Sequence, residues 1–232
     1  MNQITFQSVK DTSTSPIVNV GQRAQTPDGR EWVYVKAAEA ISAYQAVVPD
    51  AVVAVDTVSS STDALGRIVY ITEASAGWTV GAFAEAWVYV DDGTGRGQYG
   101  KIKTNTSDTL ELYPEFAFTT ALDVADSDIT IREPFHVDKA AVTTTIQGCV
   151  GISQVGIASG SYGWVLTRGV GAVLAGEALV VGAAFTTGDD TEGSVVKAVT
   201  AKGSYDEQPL GYCLVANAAA DVAALVWVEI DA

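Results

Sequence analysis

The stretch that decides the fold is Pro27-Asp28-Gly29-Arg30-Glu31-Trp32-Val33-Tyr34-Val35, where a turn signal leads directly into a strand signal. Proline fixes its own φ, and Gly29 can take the positive φ that a tight turn requires. The run Trp32-Val33-Tyr34-Val35 is β-branched and aromatic, which favours an extended strand. This pairing of turn and strand indicates β structure.

Similar runs recur along the chain at roughly the 8–12-residue spacing that is typical of sandwiches and barrels. The 22 glycines favour tight corners and bulges over long flat sheets. The sequence therefore predicts an all-β fold, a compact barrel or sandwich of many short antiparallel strands with an extended N-terminal arm. The further strand predictions are 46–55, 67–72, 86–90, 101–103, 109–113, 129–132, 146–152, 163–167, 178–181, 194–199, 211–215 and 223–230.

Two segments carry weaker signals. Residues 36–44 contain several alanines and Glu39, so they form either one or two helical turns or a continued strand. Asn217 and Asp221 suit turns, so we expect the alanine-rich segment 217–224 to connect to the last strand.

The domain prediction is an N-terminal arm, residues 1–16, followed by a β-rich body, residues 17–232. The arm is polar apart from Ile4, Phe6 and Val9, and its alternating apolar side chains would let it add as a strand to a neighbour's sheet. A frayed terminus is the alternative. An internal boundary of the body, if there is one, falls near 133–141, where a proline ends a strand and Gly, Ala and Val become frequent.

Composition excludes several classes of protein. Hydrophobic residues make up 48% of the chain, which excludes intrinsic disorder. The 13 Lys and Arg stand against 28 Asp and Glu, a net charge of −15, so neither nucleic acid nor an anionic membrane surface is an expected partner. The N-terminus shows no secretory signal and no segment suits a membrane helix. Cys149 and Cys213 are expected to be small buried residues rather than a disulfide.

One motif has the spacing of a dinucleotide-binding loop, Gly95-Arg96-Gly97-Gln98-Tyr99-Gly100 after the predicted strand 86–90. Such a loop binds pyrophosphate where it opens a helix, whereas residues 101–106 indicate strand and turn. We therefore expect a glycine-rich hairpin tip from Asp91 to Gly100 and no cofactor.

The sequence offers little for catalysis. His136 is the only histidine, which excludes a multi-histidine metal site. Its neighbours Phe135 and Val137 favour a strand histidine without a chemical role, so we predict no Ser-His-Asp triad either. Three carboxylate pairs, Asp91 with Asp92, Asp126 with Asp128, and Asp189 with Asp190, lie beside turn residues, where turn hydrogen bonds account for them. A glycosidase pair assembled by folding stays open as an alternative. We predict no catalytic, cofactor or metal residues.

The tryptophans divide into two groups. We expect four of them, Trp32, Trp87, Trp164 and Trp227, to anchor the core, because each lies inside an apolar strand. Trp78 is flanked by Gly77 and Thr79, so we predict that it makes a surface contact. The predicted interface residues are thus Ile4, Phe6, Val9 and Trp78.

Several segments together carry a resemblance: VGQR (20–23) before DGREWVYVKA (28–37), EAWVYVDDGTGRGQY (85–99) before IKTN (102–105), GWVLTRG (163–169) and PLG (209–211). They resemble the head decoration, or capsid cement, proteins of tailed bacteriophages, which bind the major capsid lattice. The family has no enzymatic motif. The resemblance implies a symmetric oligomer, a homotrimer, on the outer capsid surface where capsomers meet. This chain is longer than the smallest members.

These observations predict a non-enzymatic structural virion protein, made in the host bacterial cytoplasm, that stabilises joints between major capsid protein subunits. Three copies would carry −45, that is 3 × −15, which suits the outer face of the head better than contact with packaged DNA. The alternatives are another virion component, a head fibre base or tail tube, and a carbohydrate-binding β domain.

Overall fold

The computed structural model describes residues 9–50, 53–133, 135–141, 148–188, 191–198, 209–217 and 219–230. Within these ranges the chain is strand and turn, with a single 3-10 turn at Pro114–Phe116. The all-β prediction is confirmed. In chain order the strands are β1 (Arg23–Gln25), β2 (Glu31–Ala37), β3 (Ala46–Pro49), β4 (Val53–Val55), β5 (Ser59–Thr62), β6 (Ile68–Thr72), β7 (Trp87–Asp92), β8 (Tyr99–Asn105), β9 (Thr109–Leu112), β10 (Asp128–Arg132), β11 (His136–Lys139), β12 (Gly151–Ser153), β13 (Tyr162–Ala175), β14 (Ala184–Thr187), β15 (Val195–Lys197), β16 (Gly211–Val215) and β17 (Val222–Glu229).

The chain divides into two compact units. Unit 1 comprises Met1–Asp50 and Phe135–Ala232, and unit 2 comprises Ala51–Pro134. Unit 2 is therefore inserted into the sequence of unit 1, between β3 and β11. The end of unit 2 at Pro134 lies within the range 133–141 named for an internal boundary. The start of unit 2 at Ala51 has no signal that we identified in the sequence.

The strands of unit 1 close into two rings. They pair in the order β1-β2-β11-β3-β12-β13-β15-β14-β16-β17, with two further pairings, β2–β13 and β13–β17. One ring therefore runs through β2, β11, β3, β12 and β13, and the other through β13, β15, β14, β16 and β17. All pairs are antiparallel except β11–β2 and β13–β15. Closure removes open sheet edges.

Strand β13 belongs to both rings, which accounts for its length of 14 residues. Its first half pairs with β2 as far as Arg168, and its second half pairs with β17 from Arg168 to Ala175. The change of partner coincides with a register irregularity between Leu166 and Arg168, followed by Gly169 at φ +111°. The sequence predicted only residues 163–167 of this strand.

The core of unit 1 confirms part of the tryptophan prediction. Trp32 and Trp164 are 1% and 2% exposed, and both pack in one buried cluster. Cys149 and Cys213 lie in the same cluster as buried thiols rather than as a disulfide, as expected. Burial raises the pKa of the Cys149 thiol to about 12, so this side chain is un-ionised at neutral pH.

Unit 2 is a seven-stranded sheet in the order β4-β10-β7-β8-β9-β6-β5, and all its pairs are antiparallel. Alternate residues of the central strands face inward, among them Val88, Val90 and Ile102. The core also contains Asn105, a polar residue whose burial the sequence did not indicate. It is 1% exposed, and its side-chain amide accepts a hydrogen bond from the Phe83 N–H (2.9 Å) and donates to the Thr79 carbonyl (2.9 Å).

Candidate functional site

The outward face of the second ring of unit 1 is apolar. On β13 and β17 alternate residues point inward, among them Val226 and Val228, so the residues between them point to solvent. Trp227 is one of these outward residues, and the expectation that it anchors the core is wrong. The β17 pattern is apolar on both faces, and pairing with β13 and β16 decides which face is buried.

Outward residues of three adjacent strands form what we call the apolar face: Val170, Ala172, Tyr212, Val215, Leu225 and Trp227. Cross-strand pairing places Trp227 between Val170 and Tyr212, and the Trp227 and Tyr212 rings stack with centroids 6.4 Å apart at 18°. Leu225, Val215 and Tyr212 are 43%, 54% and 42% exposed. A contiguous uncharged patch on a rigid sheet is typical of a surface that contacts another macromolecule.

One ion-pair group borders the apolar face. The guanidinium of Arg168 lies 3.7 Å from a carboxylate oxygen of Glu31 and 3.9 Å from one of Glu229. Arg168 pairs with β2 on one side and β17 on the other, so these charges mark the point where β13 changes partner. All six residues of the apolar face are uncharged.

A second outward surface lies on unit 2. Trp87 was expected in the core, but that expectation is wrong. Ala86 and Val88, on either side of it in the chain, face inward, so Trp87 faces outward on β7. We call the rings Trp87, Tyr89, Tyr99 and Phe116 the aromatic platform. Tyr89 pairs directly with Tyr99 across β7 and β8, and the Trp87 ring lies 6.2 Å from Tyr99 and 5.2 Å from Phe116, centroid to centroid.

The predicted interface residues are not brought together in the described structure. Ile4 and Phe6 lie outside the described residues. Val9 packs against the core of unit 1, and the backbone groups of Ser13 and Tyr162 exchange two hydrogen bonds of 3.0 and 2.8 Å. The described part of the predicted arm therefore lies against its own chain.

Trp78 belongs to unit 2. Its ring is half-buried, packs against the core of that unit and meets the edge of Phe83 with centroids 5.7 Å apart. The loop that carries both rings is held by the Asn105 side chain, which bonds the Thr79 carbonyl and the Phe83 N–H. Its role as a contact residue stays a prediction.

The glycine motif lies in a hairpin tip, as predicted. Strand β7 ends at Asp92 and β8 begins at Tyr99, with turns between them and no helix after them. Gly93 has φ +73°, and a Cβ there would lie 1.8 Å from the Asp126 carbonyl oxygen, so the tip requires glycine. The Gln98 side chain accepts hydrogen bonds from the Thr119 and Thr120 N–H groups (2.7 and 2.9 Å).

Two of the carboxylate pairs have structural bonds. Asp126 accepts from the Thr94 N–H at 3.1 Å, and Asp128 accepts from the Thr57 N–H at 3.1 Å. Asp91 accepts from the Thr130 hydroxyl at 2.5 Å. Asp189 and Asp190 lie outside the described residues. Among the described residues, no three His, Cys, Asp or Glu side chains are placed together to hold a metal ion.

His136 lies in a carboxylate-rich corner of unit 1 that the sequence did not indicate. Its Nδ1 is 3.5 Å from Asp50, and Asp138 follows two residues later on β11. Burial, together with a side-chain hydrogen bond to Asp50, raises the pKa of Asp138 to about 6. A raised pKa makes the folded protein bind a proton at Asp138 more readily than the unfolded chain does, so we expect this group to make stability depend on pH.

The described part of the chain holds no helix with the length and apolar character needed to span a membrane. No protein-family model matches the chain, and no curated protein matches it. Among solved structures, the chain is similar to the head fiber gp8.5 N base of bacteriophage phi29, with a TM-score of 0.34 and 12% sequence identity over 86% of this chain and 94% of that one. A TM-score of this size does not establish a shared fold, so no inference about function rests on it.

Proposed function

We propose that this protein is a non-enzymatic structural component of a tailed-phage particle, a head decoration protein on the outer capsid surface. Its partner is the major capsid protein, and its role is to stabilise joints between capsid subunits. The sequence resemblance supports the phage assignment. The apolar face of unit 1 is the observation that carries the binding function.

The apolar face suits a protein partner. It combines the stacked pair Trp227 and Tyr212 with exposed aliphatic side chains such as Leu225, and aromatic anchors are the residues that dominate protein interfaces. The face is built on paired strands rather than on loops, so binding requires little ordering of the backbone. A ligand that binds the assembled shell preferentially stabilises it by mass action.

The charge of the chain supports an outer location. A net charge of −15 on each copy would oppose contact with packaged DNA. The apolar face itself carries no charge, so it places no charged side chain at the proposed contact. A homotrimer would add multivalency to each weak contact, and Ile4 and Phe6 of the arm predicted at residues 1–16 stay predicted contact residues.

The experiment that tests this proposal compares two leucines. Leu225→Asp places a charge in the apolar face, and Leu65→Asp places the same charge at a residue of unit 2 that is 77% exposed. Heads assembled without this chain are mixed with each purified variant and sedimented. We expect Leu225→Asp to weaken attachment at least about tenfold, because burying an unpaired charge is costly, and Leu65→Asp to bind like the unmodified protein.

Two outcomes would contradict the proposal. Attachment of Leu225→Asp at unmodified strength would remove the apolar face from the interface. A particle map that shows the labelled chain at one axial site, rather than in a regular array over the shell, would indicate a head fibre base or tail tube instead. Light scattering tests the trimer directly, since the expected mass is three times 24.1 kDa.

A further inference from the structure

The aromatic platform of unit 2 differs chemically from the apolar face. Tyr89 and Tyr99 are 45% and 62% exposed and directly opposed across β7 and β8, and Trp87 lies beside them. The outward residues of β7, β8 and β10 include no leucine, isoleucine or valine; beyond the rings they are Asp91, Asp92, Lys101, Lys103, Thr104, Asp128, Thr130 and Arg132. On these three strands the aromatic rings therefore lie among side chains that form hydrogen bonds.

Packing supports the Trp87 side of the platform and the strands beneath it. Phe116 meets the Trp87 ring edge-on at 79°, which limits rotation of the indole. The backbone beneath is the β7–β8 hairpin, whose inward residues Val88 and Ile102 are fully buried. The indole of Trp87 and the backbone that carries the tyrosines are thus in place before any ligand arrives, which lowers the entropic cost of binding.

Polar groups border the platform in a charge-balanced set. The Lys101 ammonium is 2.5 Å from a Glu85 carboxylate oxygen and 5.6 Å from the centre of the Tyr113 ring, and the Tyr113 hydroxyl donates to Glu85. Hydrogen bonds from Lys101 and from Tyr113 lower the pKa of Glu85, which keeps this carboxylate ionised at neutral pH. Lys103 is likewise paired, 2.7 Å from Glu111.

We propose that the aromatic platform binds a neutral oligosaccharide. The face of an aromatic ring carries negative charge density, and the axial C–H groups of a pyranose ring are weakly positive, so the two stack face to face. The sugar hydroxyls then meet the tyrosine hydroxyls and the Glu85–Lys101 pair, which both donate and accept hydrogen bonds. A ligand with apolar faces and polar edges matches this arrangement.

Charge discriminates between the ligands that stack on aromatic rings. Nucleic acid bases also stack on exposed tyrosine and tryptophan, but their binding depends on basic residues that neutralise phosphate. Here Lys101 and Lys103 are already paired with carboxylates, Arg132 shares the surface with Asp91 and Asp128, and the chain carries −15. The same balance disfavours acidic polysaccharides, which leaves uncharged sugars as the favoured class.

The test titrates the full chain with maltohexaose, cellohexaose, laminarihexaose, xylohexaose and chitohexaose, and follows tryptophan fluorescence and NMR chemical shifts. We expect at least one hexaose to bind with a Kd of about 1 mM or tighter. Tyr99→Ala should weaken that binding at least about tenfold. Tyr212→Ala is the matched control, since Tyr212 is an exposed tyrosine stacked on a tryptophan in unit 1. It should leave the Kd unchanged.

Three results would overturn the proposal: no response to any hexaose up to about 10 mM, equal binding by Tyr99→Ala and the unmodified chain, or tighter binding of oligo(dT) than of every sugar. Loss of head attachment by Tyr99→Ala without sugar binding would assign the platform to a protein partner and also reject it. None of these results depends on the Leu225→Asp experiment, so the two proposals fail separately.

Discussion

Trp164→Ala and Trp227→Ala should destabilise unit 1 by clearly different amounts, although both tryptophans lie in apolar strands. Trp164 is 2% exposed and packs in the core, so its removal should cost about 3–5 kcal/mol. Trp227 is half-buried on the outward face, with one aromatic partner, Tyr212. Losing that pair costs about 0.5–1.5 kcal/mol, and partial burial adds a similar amount, which gives about 1–2 kcal/mol for Trp227→Ala.

The two cysteines provide an assay that reports on unit 1. Cys149 and Cys213 are the only cysteines of the chain, and both are buried in unit 1, so they react with a thiol reagent when that unit opens. Labelling across a urea series gives an unfolding midpoint. With a slope of about 2 kcal/mol per molar urea, Trp164→Ala should lower the midpoint by about 2 M and Trp227→Ala by about 0.7 M.

The size of the difference is what the structure predicts. A Trp227→Ala midpoint as low as that of Trp164→Ala would show that Trp227 is buried and that the assigned face of β17 is wrong. An unchanged midpoint for Trp164→Ala would refute the core assignment. If Trp227 proved to be buried, the apolar face would lose its central aromatic side chain, and the proposed attachment surface would lose its basis.

Three further changes test other parts of the structure. Asp138→Asn should raise the melting temperature at pH 7.5 by a few degrees and have little effect at pH 4, and calorimetry across this range checks it. Because the folded pKa of about 6 exceeds the ordinary 3.8, the contribution of Asp138 to stability is greatest below pH 3.8 and is lost as the pH rises through 6. Asp50, Glu39 and His136 are the titratable neighbours of Asp138. A gain in melting temperature that did not depend on pH would contradict this prediction. Ser194→Ala should stabilise unit 1 by about 1 kcal/mol, since its buried Oγ has no hydrogen-bond partner among the described residues; a loss of thiol protection in urea would refute this. Asn105→Ala should destabilise unit 2 by about 1–3 kcal/mol, because it leaves the Phe83 N–H unpaired, whereas the Thr79 carbonyl keeps its hydrogen bond from the Ala82 N–H; hydrogen exchange at Phe83 should rise, and unchanged exchange there would contradict the assignment.

Local signals predicted much of the fold. The turn at Asp28-Gly29 and the strand that follows it, the hairpin tip after Asp92, and the connection before the last strand are all observed. At that connection Asp221 has φ +59° and the Asn217 side chain donates to the Ala219 carbonyl. In each case the deciding residues lie within a few positions of one another, so their conformational preferences act without help from the rest of the chain.

Predictions failed where contacts with segments distant in sequence determine the local structure. Residues 178–181 are apolar, but they form no strand; Leu179 is buried instead, and its N–H donates to the Asn217 side chain at 2.7 Å. Residues 36–44 form neither a helix nor a continuous strand, since β2 ends at Ala37 and Tyr44 takes φ +73°. The polar strand Ser59–Thr62 carries no hydrophobic signal and exists because β6 pairs with it.

Both candidate surfaces were missed for one reason. Trp87 and Trp227 each stand between inward residues in strands whose two faces are both apolar, and such strands look fully buried in sequence. Only the cross-strand partners reveal what lies outward. Around Trp227 they are Val170 and Tyr212, and around Trp87 they are Lys101 and Arg132. A tryptophan on the same kind of strand therefore contributes to an apolar face in unit 1 and to an aromatic platform bordered by polar groups in unit 2. The cross-strand neighbours determine which class of ligand each surface suits.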